Sequence, residues 1–248
     1  MSAPDPIAAI VLAAGKGTRM GSELHKVLHR LNGKPLLGHV LDSLDELGTE
    51  KTVLVVGAGR AQIADAYPPF ERVVQEDQLG TGHAVRVATG ALHGFKGIVL
   101  VLYGDVPLVS AATMRTLTRQ IDADTALAVL GFVPKDPRAY GRLITDATGA
   151  LERIVEFADA SEAERAVGFC NSGILAMRAD AMFDLVPQIS NDNSKGEFYL
   201  TDVVALARAS NLRVATVEAD EVEVTGVNSQ SELAALESVL AQRSREEA

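Results

Sequence analysis

The residues whose types and spacing most clearly suggest a binding site lie in one short stretch, LAAGKGTRM, at positions 12–20. Its alanines and glycines carry little side-chain bulk, so backbone N–H groups can approach an anion or a planar base closely. Basic residues are also concentrated here: between Lys16 and Lys34 there are five cations and a single acid, Glu23. Because the chain of 248 residues has a formal net charge of -10, this local positive charge predicts a site for a polyphosphate.

Two named phosphate-binding motifs come close to this stretch without matching it. A Walker A loop requires G-x-x-x-x-G-K-[ST], and no Lys-Ser or Lys-Thr pair has that spacing here. The dinucleotide motif G-x-G-x-x-G would place Met20 at its sixth position, and a second candidate, GAGRAQ, has Gln62 there. Both glycine-rich turns also fit tight connections after strands. A dehydrogenase that binds a dinucleotide at GAGRAQ remains an alternative.

A candidate metal ligand follows another apolar run, in LVLYGDVPL. Asp105 comes directly after this run, which places a carboxylate at the end of a predicted strand. Mg²⁺ is commonly held by one or two carboxylates together with phosphate oxygens and waters, so one aspartate is sufficient. Asn228 precedes the last predicted helix and could supply an amide oxygen as a second ligand. For both residues the alternative is a role in a turn or a helix cap.

The elements that must position these residues alternate along the chain. Apolar residues recur at helical spacing from Leu36 to Leu47, with Pro35 near the start and Gly48 just past the end. Strand alternating with helix indicates a mostly parallel sheet covered on both faces, with ligands beyond the carboxyl ends of its strands. From about residue 134 shorter polar runs, GRLITD and LERIVEF, predict antiparallel strands added to the same sheet. The apolar runs that predict buried strands are 7–13, 51–57, 71–76, 97–105 and 125–133.

Composition argues against several classes of function. The acidic net charge disfavours nucleic acid and anionic membranes as partners. Cys170 is the single cysteine, so no intramolecular disulfide or cysteine-rich metal site can form, and we interpret it as a small buried thiol. No apolar stretch approaches the roughly 18 to 20 residues of a membrane span, and MSAPDPIAA lacks the features of a signal peptide. We therefore expect a cytoplasmic protein.

Taken together, the motifs resemble a known family. LAAGKGTRM, Lys26 and LNGKPLLGHVL are similar to the sugar nucleotidyltransferase superfamily. From about residue 7 to 240 the chain resembles the N-terminal pyrophosphorylase domains of bifunctional N-acetylglucosamine-1-phosphate uridyltransferase/glucosamine-1-phosphate acetyltransferases. The motifs that carry this second resemblance, in chain order, are VVQEDQLGTGHAV, LYGDVPLVS, YGRLI, RIVEFADA, FCNSGIL, GEFYLTD and GVNSQSEL.

This resemblance implies a fold, a reaction and a domain division. The fold is a three-layer α/β/α Rossmann-like nucleotidyltransferase fold with a mostly parallel mixed sheet and a small antiparallel region. The reaction is the Mg²⁺-dependent transfer of a uridylyl group from UTP to N-acetylglucosamine-1-phosphate, which gives UDP-N-acetylglucosamine and pyrophosphate. Residues 1–228 would form the nucleotidyltransferase domain. Residues 229–248 would form a helix, opened by the capping-box pattern SQSE, where a linker to a further domain could begin.

The resemblance also assigns roles to individual residues. Arg19, Lys26 and Asp105 are expected to be catalytic, and Asp105 and Asn228 to bind Mg²⁺. Gln75, Gly80 and Thr81 are expected at the uracil. The full set expected to bind substrate is Leu12, Ala13, Ala14, Gly15, Gln75, Gly80, Thr81, Tyr103, Gly104, Gly141, Glu156, Asn171 and Asn228, of which Tyr103, Gly141, Glu156 and Asn171 surround the sugar.

Three departures from the family pattern leave alternatives open. His25 stands where the family has a proline before the lysine, and the family's Asn-Thr-Gly reads Asn171-Ser172-Gly173. The chain also ends without the hexapeptide β-helix of the bifunctional enzymes, so we expect a monomer or a weak homo-oligomer. A stand-alone nucleotidyltransferase for another sugar phosphate or nucleotide is one alternative. A catalytically inactive nucleotide-binding module is another.

Overall fold

The computed structural model describes residues 5–137 and 139–246, and one large mixed sheet dominates this part of the chain. The strands in chain order are β1 (Ile7–Ala13), β2 (Arg30–Leu31), β3 (Lys34–Pro35), β4 (Lys51–Val56), β5 (Glu71–Val74), β6 (Ile98–Tyr103), β7 (Thr125–Phe132), β8 (Arg142–Thr145), β9 (Leu151–Val155), β10 (Cys170–Arg178) and β11 (Arg213–Glu218). Strands β2 and β3 form a separate two-stranded ribbon, and the others join the main sheet.

Parallel pairing prevails in the main sheet. The strand order along its main path is β11-β7-β10-β6-β1-β4-β5, and β10 runs antiparallel to both β6 and β7. Strand β1 lies between β4 and β6 and is parallel to both. All five strands predicted from apolar runs are present, so the expected α/β fold is confirmed. Because β1 and β6 are parallel, Leu12 and Tyr103 are register partners at the same carboxyl edge of the sheet.

Helices cover both faces of the main sheet. They are α1 (Leu36–Leu47), α2 (Arg60–Ala66), α3 (Thr81–Ala88), α4 (Ala111–Thr118), α5 (Glu162–Arg165), α6 (Ala179–Leu185), α7 (Asp202–Ala209) and α8 (Gln230–Glu246). Helix α1 has the predicted bounds: it follows Pro35 and ends before Gly48, whose φ of 84° is accessible to glycine. None of the helices in the described ranges has the length and apolarity needed to cross a membrane.

Two apolar clusters, one on each face of the sheet, make this a three-layer structure. Successive strand residues point to opposite faces, so Ile10 packs with the layer of α3, α6 and α7 and Val11 packs with the layer of α1, α2 and α4. In the neighbouring strand, Val101 and Leu102 divide between the layers in the same way. Burial on both faces explains why these strands read as continuous apolar runs in the sequence.

The antiparallel region expected after residue 134 is also present. Strands β8 and β9 form a hairpin that joins the main sheet through β10. Its apolar side chains Leu143 and Ile154 belong to the same core cluster as Val203 of α7. The hairpin therefore extends one side of the main sheet and brings the sequence around 139–141 close to its carboxyl edge.

The last helix packs apart from the main core. Leu233 and Leu236 of α8 are buried with Leu31 and Leu36 around the β2–β3 ribbon. The sequence predicted a division of the chain into residues 1–228 and 229–248. The outer ends of these two segments, residues 1–4 and 247–248, lie outside the described residues. The contact between α8 and the ribbon fixes the segment just before the helix, which carries Asn228.

Candidate active site

A cavity of about 580 Å³ opens at the carboxyl edge of the main sheet. The loops that follow β1, β5 and β6 form one wall, and residues from the β8–β9 hairpin and from β10 form the other. Most of the site residues predicted from the sequence meet here, although they come from distant parts of the chain. Those that line the cavity are Leu12, Ala13, Ala14, Gly15, Lys26, Gln75, Gly80, Thr81, Tyr103, Asp105, Gly141, Glu156, Asn171 and Asn228.

Two of the predicted site residues do not line this cavity. Arg19 lies on an exposed 3-10 turn, Thr18–Met20, in the loop after β1. Gly104 is buried beneath the cavity wall, where its N–H donates to the carbonyl of Leu12 over 2.9 Å. A Cβ at Gly104 would lie 3.2 Å from the Val27 side chain, so the backbone packs closely against Val27 below the site.

The loop between β1 and Lys26 owes its shape to glycine. Gly17 has a φ of 61°, and a Cβ built on it would lie 2.5 Å from the Cβ of Lys26. The chain can therefore pass directly over Lys26 only without a side chain at this position. On the other side of the loop, the side-chain amide of Gln78 donates to the carbonyl of Ala14. These contacts hold the small residues after β1 against the cavity.

Three polar side chains converge at the point where a metal ion was predicted. The Lys26 ammonium forms an ion pair with Asp105 Oδ2, and its Nζ also donates to Asn228 Oδ1 at 3.1 Å. The side chains of Lys26 and Asp105 are only 14% and 13% exposed, so solvent screens the pair weakly. The lysine ammonium thus stands in for a cation between a carboxylate and an amide oxygen, which are the donors that Mg²⁺ prefers. The residues present therefore fit the predicted metal.

Asn228 is held in place by the start of α8. The backbone N–H of the preceding residue, Val227, donates to the carbonyl of Asp105 over 2.9 Å. Ser229 Oγ accepts the N–H of Glu232 at 3.2 Å, as a capping box predicts. The Glu232 carboxylate, however, accepts from the backbone N–H of Asn228 at 2.6 Å instead of from Ser229. This side chain therefore positions Asn228 as well as capping the helix.

The turn before α3 forms the next part of the wall. Gly80 has a φ of 106°, and a Cβ there would lie 2.6 Å from the carbonyl oxygen of Phe198. Gly82 N–H donates to that same carbonyl over 2.7 Å, and Thr81 Oγ1 accepts from Leu200 N–H at 3.0 Å. The 79–82 turn is thus held tightly against the 198–200 segment. Because helix α3 begins at Thr81, its positive end is directed toward the cavity.

Glu156 is a half-buried acid that lines the cavity just after β9. It accepts a hydrogen bond from Thr201 Oγ1 at 3.1 Å. Burial raises the pKa of the Glu156 carboxyl, and the charges of Asp202 and Asp159 add to this effect, while the Thr201 bond and the charge of Lys195 oppose it. A carboxylate kept with little solvent is well suited to accept hydrogen bonds from hydroxyl groups of a ligand.

Tyr103 and the 171–173 segment complete this part of the wall. Burial raises the pKa of the Tyr103 hydroxyl, and the charges of Glu156 and Asp105 act in the same direction, so the group is a neutral hydrogen-bond donor. Asn171 Oδ1 accepts from the N–H of Gly173 at 3.0 Å. A Cβ at Gly173 would lie 2.6 Å from the Tyr103 ring, so glycine is required there. The hydroxyl of Ser172 donates to the carbonyl of Leu130, inside the sheet.

His25 proves to be a buried packing residue beside the site. It is 5% exposed, and neither ring nitrogen has a hydrogen-bond partner among the described residues. Burial lowers the pKa of its imidazole, and the positive charge of Lys26 acts in the same direction, so the ring is neutral near pH 7. Its backbone N–H donates to Gln62 Oε1 at 2.8 Å, and its ring packs against Gly59. The GAGRAQ turn therefore supports the Lys26 loop and does not line the cavity.

Sequence reasoning missed several residues that the structure brings to the cavity. Gln78 belongs to the motif VVQEDQLGTGHAV, but no role was predicted for it. The motif GEFYLTD also contributes lining residues that were not predicted individually. For Gln78 the available signal was its position three residues after Gln75 in the same motif. The additional lining residues on these segments are Gln78, Glu197, Tyr199, Leu200 and Thr201.

Comparisons with known proteins agree with this geometry. The family model described as MobA-like NTP transferase domain matches residues 9–169. Proteins named bifunctional protein GlmU are similar to the chain: the one from Zymomonas mobilis is 49% identical over all of this chain and 56% of its own length. That from Sphingopyxis alaskensis is 52% identical over 98% of this chain and 54% of its own length.

The chain therefore spans about half the length of these relatives. A solved nucleotidyl transferase from Methanothermobacter thermautotroptrophicus shares the fold, with a TM-score of 0.67 and 22% identity, over 96% of this chain and 99% of that one. Because the matching family model covers well over half of its residues, the chain belongs to the MobA-like NTP transferase domain family.

Proposed function

We propose that the protein transfers a uridylyl group from UTP to N-acetylglucosamine-1-phosphate in a reaction that requires Mg²⁺. The observation that carries this proposal is the meeting of Lys26, Asp105 and Asn228 in one wall of the cavity. A carboxylate, an amide oxygen and an ammonium group suit a metal–triphosphate complex. The relatives named bifunctional protein GlmU support the choice of substrates, because the motifs of this chain resemble the uridyltransferase family. We propose residues 1–228 as the catalytic unit.

The chemistry follows from the charges of the two substrates. An oxygen of the sugar phosphate attacks the α-phosphorus of UTP in line with the departing pyrophosphate, and this oxygen is already ionised. No side chain needs to remove a proton, so we assign no general base. The main barrier is the repulsion between two anions. The site must therefore reduce this repulsion and align the two reactants.

Each wall of the cavity would contribute to this task. When bound, Mg²⁺ would neutralise phosphate charge and hold the reacting groups in line. Asp105 and Asn228 would hold the ion through their oxygens. The Lys26 ammonium would move from Asp105 to the phosphates and stabilise the negative charge that develops on them. Glu156 would accept hydrogen bonds from hydroxyl groups of the sugar, at the end of the cavity away from the phosphates.

A substrate panel tests the proposal. Purified protein is incubated with each of four nucleoside triphosphates and several sugar-1-phosphates, with and without Mg²⁺, and pyrophosphate release is measured. We expect release with UTP and N-acetylglucosamine-1-phosphate only when Mg²⁺ is present, and a loss of at least about 100-fold in Asp105→Asn. Turnover by Asp105→Asn at the wild-type rate would refute the metal site.

The same panel distinguishes the nearest alternative. A nucleotidyltransferase for another sugar phosphate or nucleotide would release pyrophosphate with a different pair of substrates. A protein that binds UTP but releases pyrophosphate with no pair would be a binding module. Either result would replace the proposed reaction while leaving the fold family unchanged.

A further inference from the structure

The side-chain amide of Gln75 is held by two contacts in the cavity wall. Gln75 is 4% exposed, and its Nε2 donates to the carbonyl of Gly80 at 3.0 Å. The same Nε2 lies 3.1 Å from Nδ1 of His83. A glutamine NH₂ group has two hydrogens, so these two contacts use both of them. The carbonyl of Gly80 can only accept, which settles that the nitrogen of the amide, and not its oxygen, faces it.

The geometry leaves Gln75 Oε1 available to a ligand. This oxygen has no hydrogen bond to the described residues, and it is not among their fully buried unpaired polar atoms. The backbone N–H groups of Gly80 and Thr81 likewise donate to no described residue. The cavity therefore presents an acceptor beside free backbone donors at the start of α3.

His83 is itself held in a defined position. Its ring packs against Phe198, with centroids 6.2 Å apart, and the Arg86 guanidinium lies 4.5 Å above the same Phe198 ring. Arg86 also donates to the carbonyl of Ile189 at 2.8 Å. Only a neutral His83 with its proton on Nε2 can accept at Nδ1 from the Gln75 amide. The contacts around His83 thus maintain an acceptor aimed at the second hydrogen of that amide.

We propose that His83 is a positioning residue for nucleotide specificity: by holding the Gln75 amide, it fixes Oε1 as the acceptor that selects uracil. This inference rests on the proposed function, in which the nucleotide is UTP. Uracil carries an N3–H donor next to a carbonyl, which matches Oε1 and a backbone N–H. Cytosine carries an acceptor at N3 next to an amino group. Its N3 would therefore meet the acceptor Oε1, and its amino group would meet the donor N–H of the backbone.

The alternative amide orientation shows why His83 is needed. If the Gln75 amide rotated by 180°, its nitrogen would face the cavity and could donate to N3 of cytosine, although the backbone N–H would still oppose the cytosine amino group. In the wild-type protein that rotation breaks two hydrogen bonds and sets Oε1 against the carbonyl of Gly80, and a bond to His83 is regained only if the imidazole proton moves from Nε2 to Nδ1. Without the His83 acceptor, the rotation breaks only one bond and creates one unfavourable contact. We therefore expect the preference for uridine over cytidine nucleotides to fall about tenfold, the usual effect of one hydrogen bond.

The test compares two substitutions of His83. His83→Leu keeps an apolar side chain against Phe198 but removes the acceptor. His83→Asn keeps an oxygen that can occupy the place of Nδ1. A matched control, His93→Leu, makes the same change at an exposed position outside the cavity. The folded state of each variant is checked by its thermal unfolding.

Two measurements follow for each protein: the dissociation constants of UDP and CDP by calorimetry, and kcat/KM for pyrophosphate release with UTP and CTP. We expect His83→Leu to lower the uridine-to-cytidine ratio about tenfold in both assays, with His83→Asn and His93→Leu close to wild type. An unchanged ratio in a folded His83→Leu variant would overturn the role of His83. Equal loss in the Leu and Asn variants would overturn the role of the acceptor.

The outcome for the proposed function can be read separately. If the wild-type protein releases no pyrophosphate with any nucleotide, the proposed reaction fails, and the UDP and CDP binding ratios still decide the role of His83. If the reaction is present but the ratio does not respond to His83, the inference fails alone.

Discussion

The ion pair between Lys26 and Asp105 leads to a quantitative prediction about metal binding. In the structure, the Lys26 ammonium contacts the two oxygens that we propose as metal ligands, on Asp105 and Asn228. A divalent ion can bind there only after the ammonium has moved. We therefore predict that Lys26→Met raises the affinity of the nucleotide-free protein for Mn²⁺, although the same change removes a catalytic charge.

The size of the effect follows from the contacts that the metal must displace. A hydrogen bond between charged partners contributes about 1.5–3 kcal/mol when both are shielded from solvent. The side chains of Lys26 and Asp105 are 14% and 13% exposed, so this range applies with little screening. Because about 1.4 kcal/mol corresponds to a factor of ten, the dissociation constant for Mn²⁺ should fall by roughly 10- to 100-fold.

Mn²⁺ titration monitored by electron paramagnetic resonance measures this constant without turnover. Lys16→Met provides the matched control, because it removes the same charge from an exposed residue of the same loop. Lys26→Met combined with Asp105→Asn should bind Mn²⁺ no better than the wild-type protein. An unchanged Mn²⁺ affinity in Lys26→Met, or an equal rise in Lys16→Met, would show that the ammonium does not compete with the metal.

Three further predictions concern residues around the site. Glu156→Gln should raise the melting temperature near pH 7 but not near pH 4. Because the pKa of the Glu156 carboxyl is raised in the folded protein, the unfolded chain ionises at a lower pH, so the carboxyl group destabilises the folded state once the pH rises above the unfolded-state pKa. One pKa unit corresponds to about 1.4 kcal/mol. Gly80→Ala should lower the free energy of unfolding in urea by about 2–4 kcal/mol, because its Cβ would lie 2.6 Å from a backbone oxygen, whereas Gly90→Ala, in open space, should have little effect. Glu232→Ala should weaken Mn²⁺ binding in the presence of UTP about tenfold by releasing Asn228, and Glu232→Gln should retain most of the affinity.

The sequence was a good guide to those parts of the fold that local pattern controls. Helix α1 was predicted with its bounds because a proline and a glycine mark its ends. The five apolar runs became strands because burial on both faces leaves a continuous apolar signature. The position of β10 between β6 and β7 was not predicted, and neither was strand β11. Strand order depends on long-range pairing, which leaves no periodic trace in either strand.

For the site, too, local sequence pattern predicted some residues, and contacts between distant parts of the chain determined the others. Asp105 could be placed because it lies at the end of a predicted strand and parallel strands end at one edge of the sheet, whereas Gln75 was placed only by the family resemblance. Their roles remain predictions. The partners that orient them were not predicted: His83 is eight residues from Gln75, and Glu232 supports Asn228 from the first turn of α8. Such contacts depend on how a turn or a cap closes, and residue types and spacing do not encode that geometry.

The distribution of charge within the cavity would allow an acidic protein to orient the two anionic substrates that we propose. At one end, Lys26 would attract phosphate groups. At the other, burial raises the pKa of the Glu156 carboxyl, and three charges act on it: Lys195 lowers the pKa, whereas Asp202 and Asp159 raise it. A sugar phosphate that entered with its phosphate toward Glu156 would place two like charges together at that carboxylate. The field therefore favours the orientation in which the phosphate faces Lys26 and the hydroxyl groups face Glu156, before any contact specific to one sugar is made.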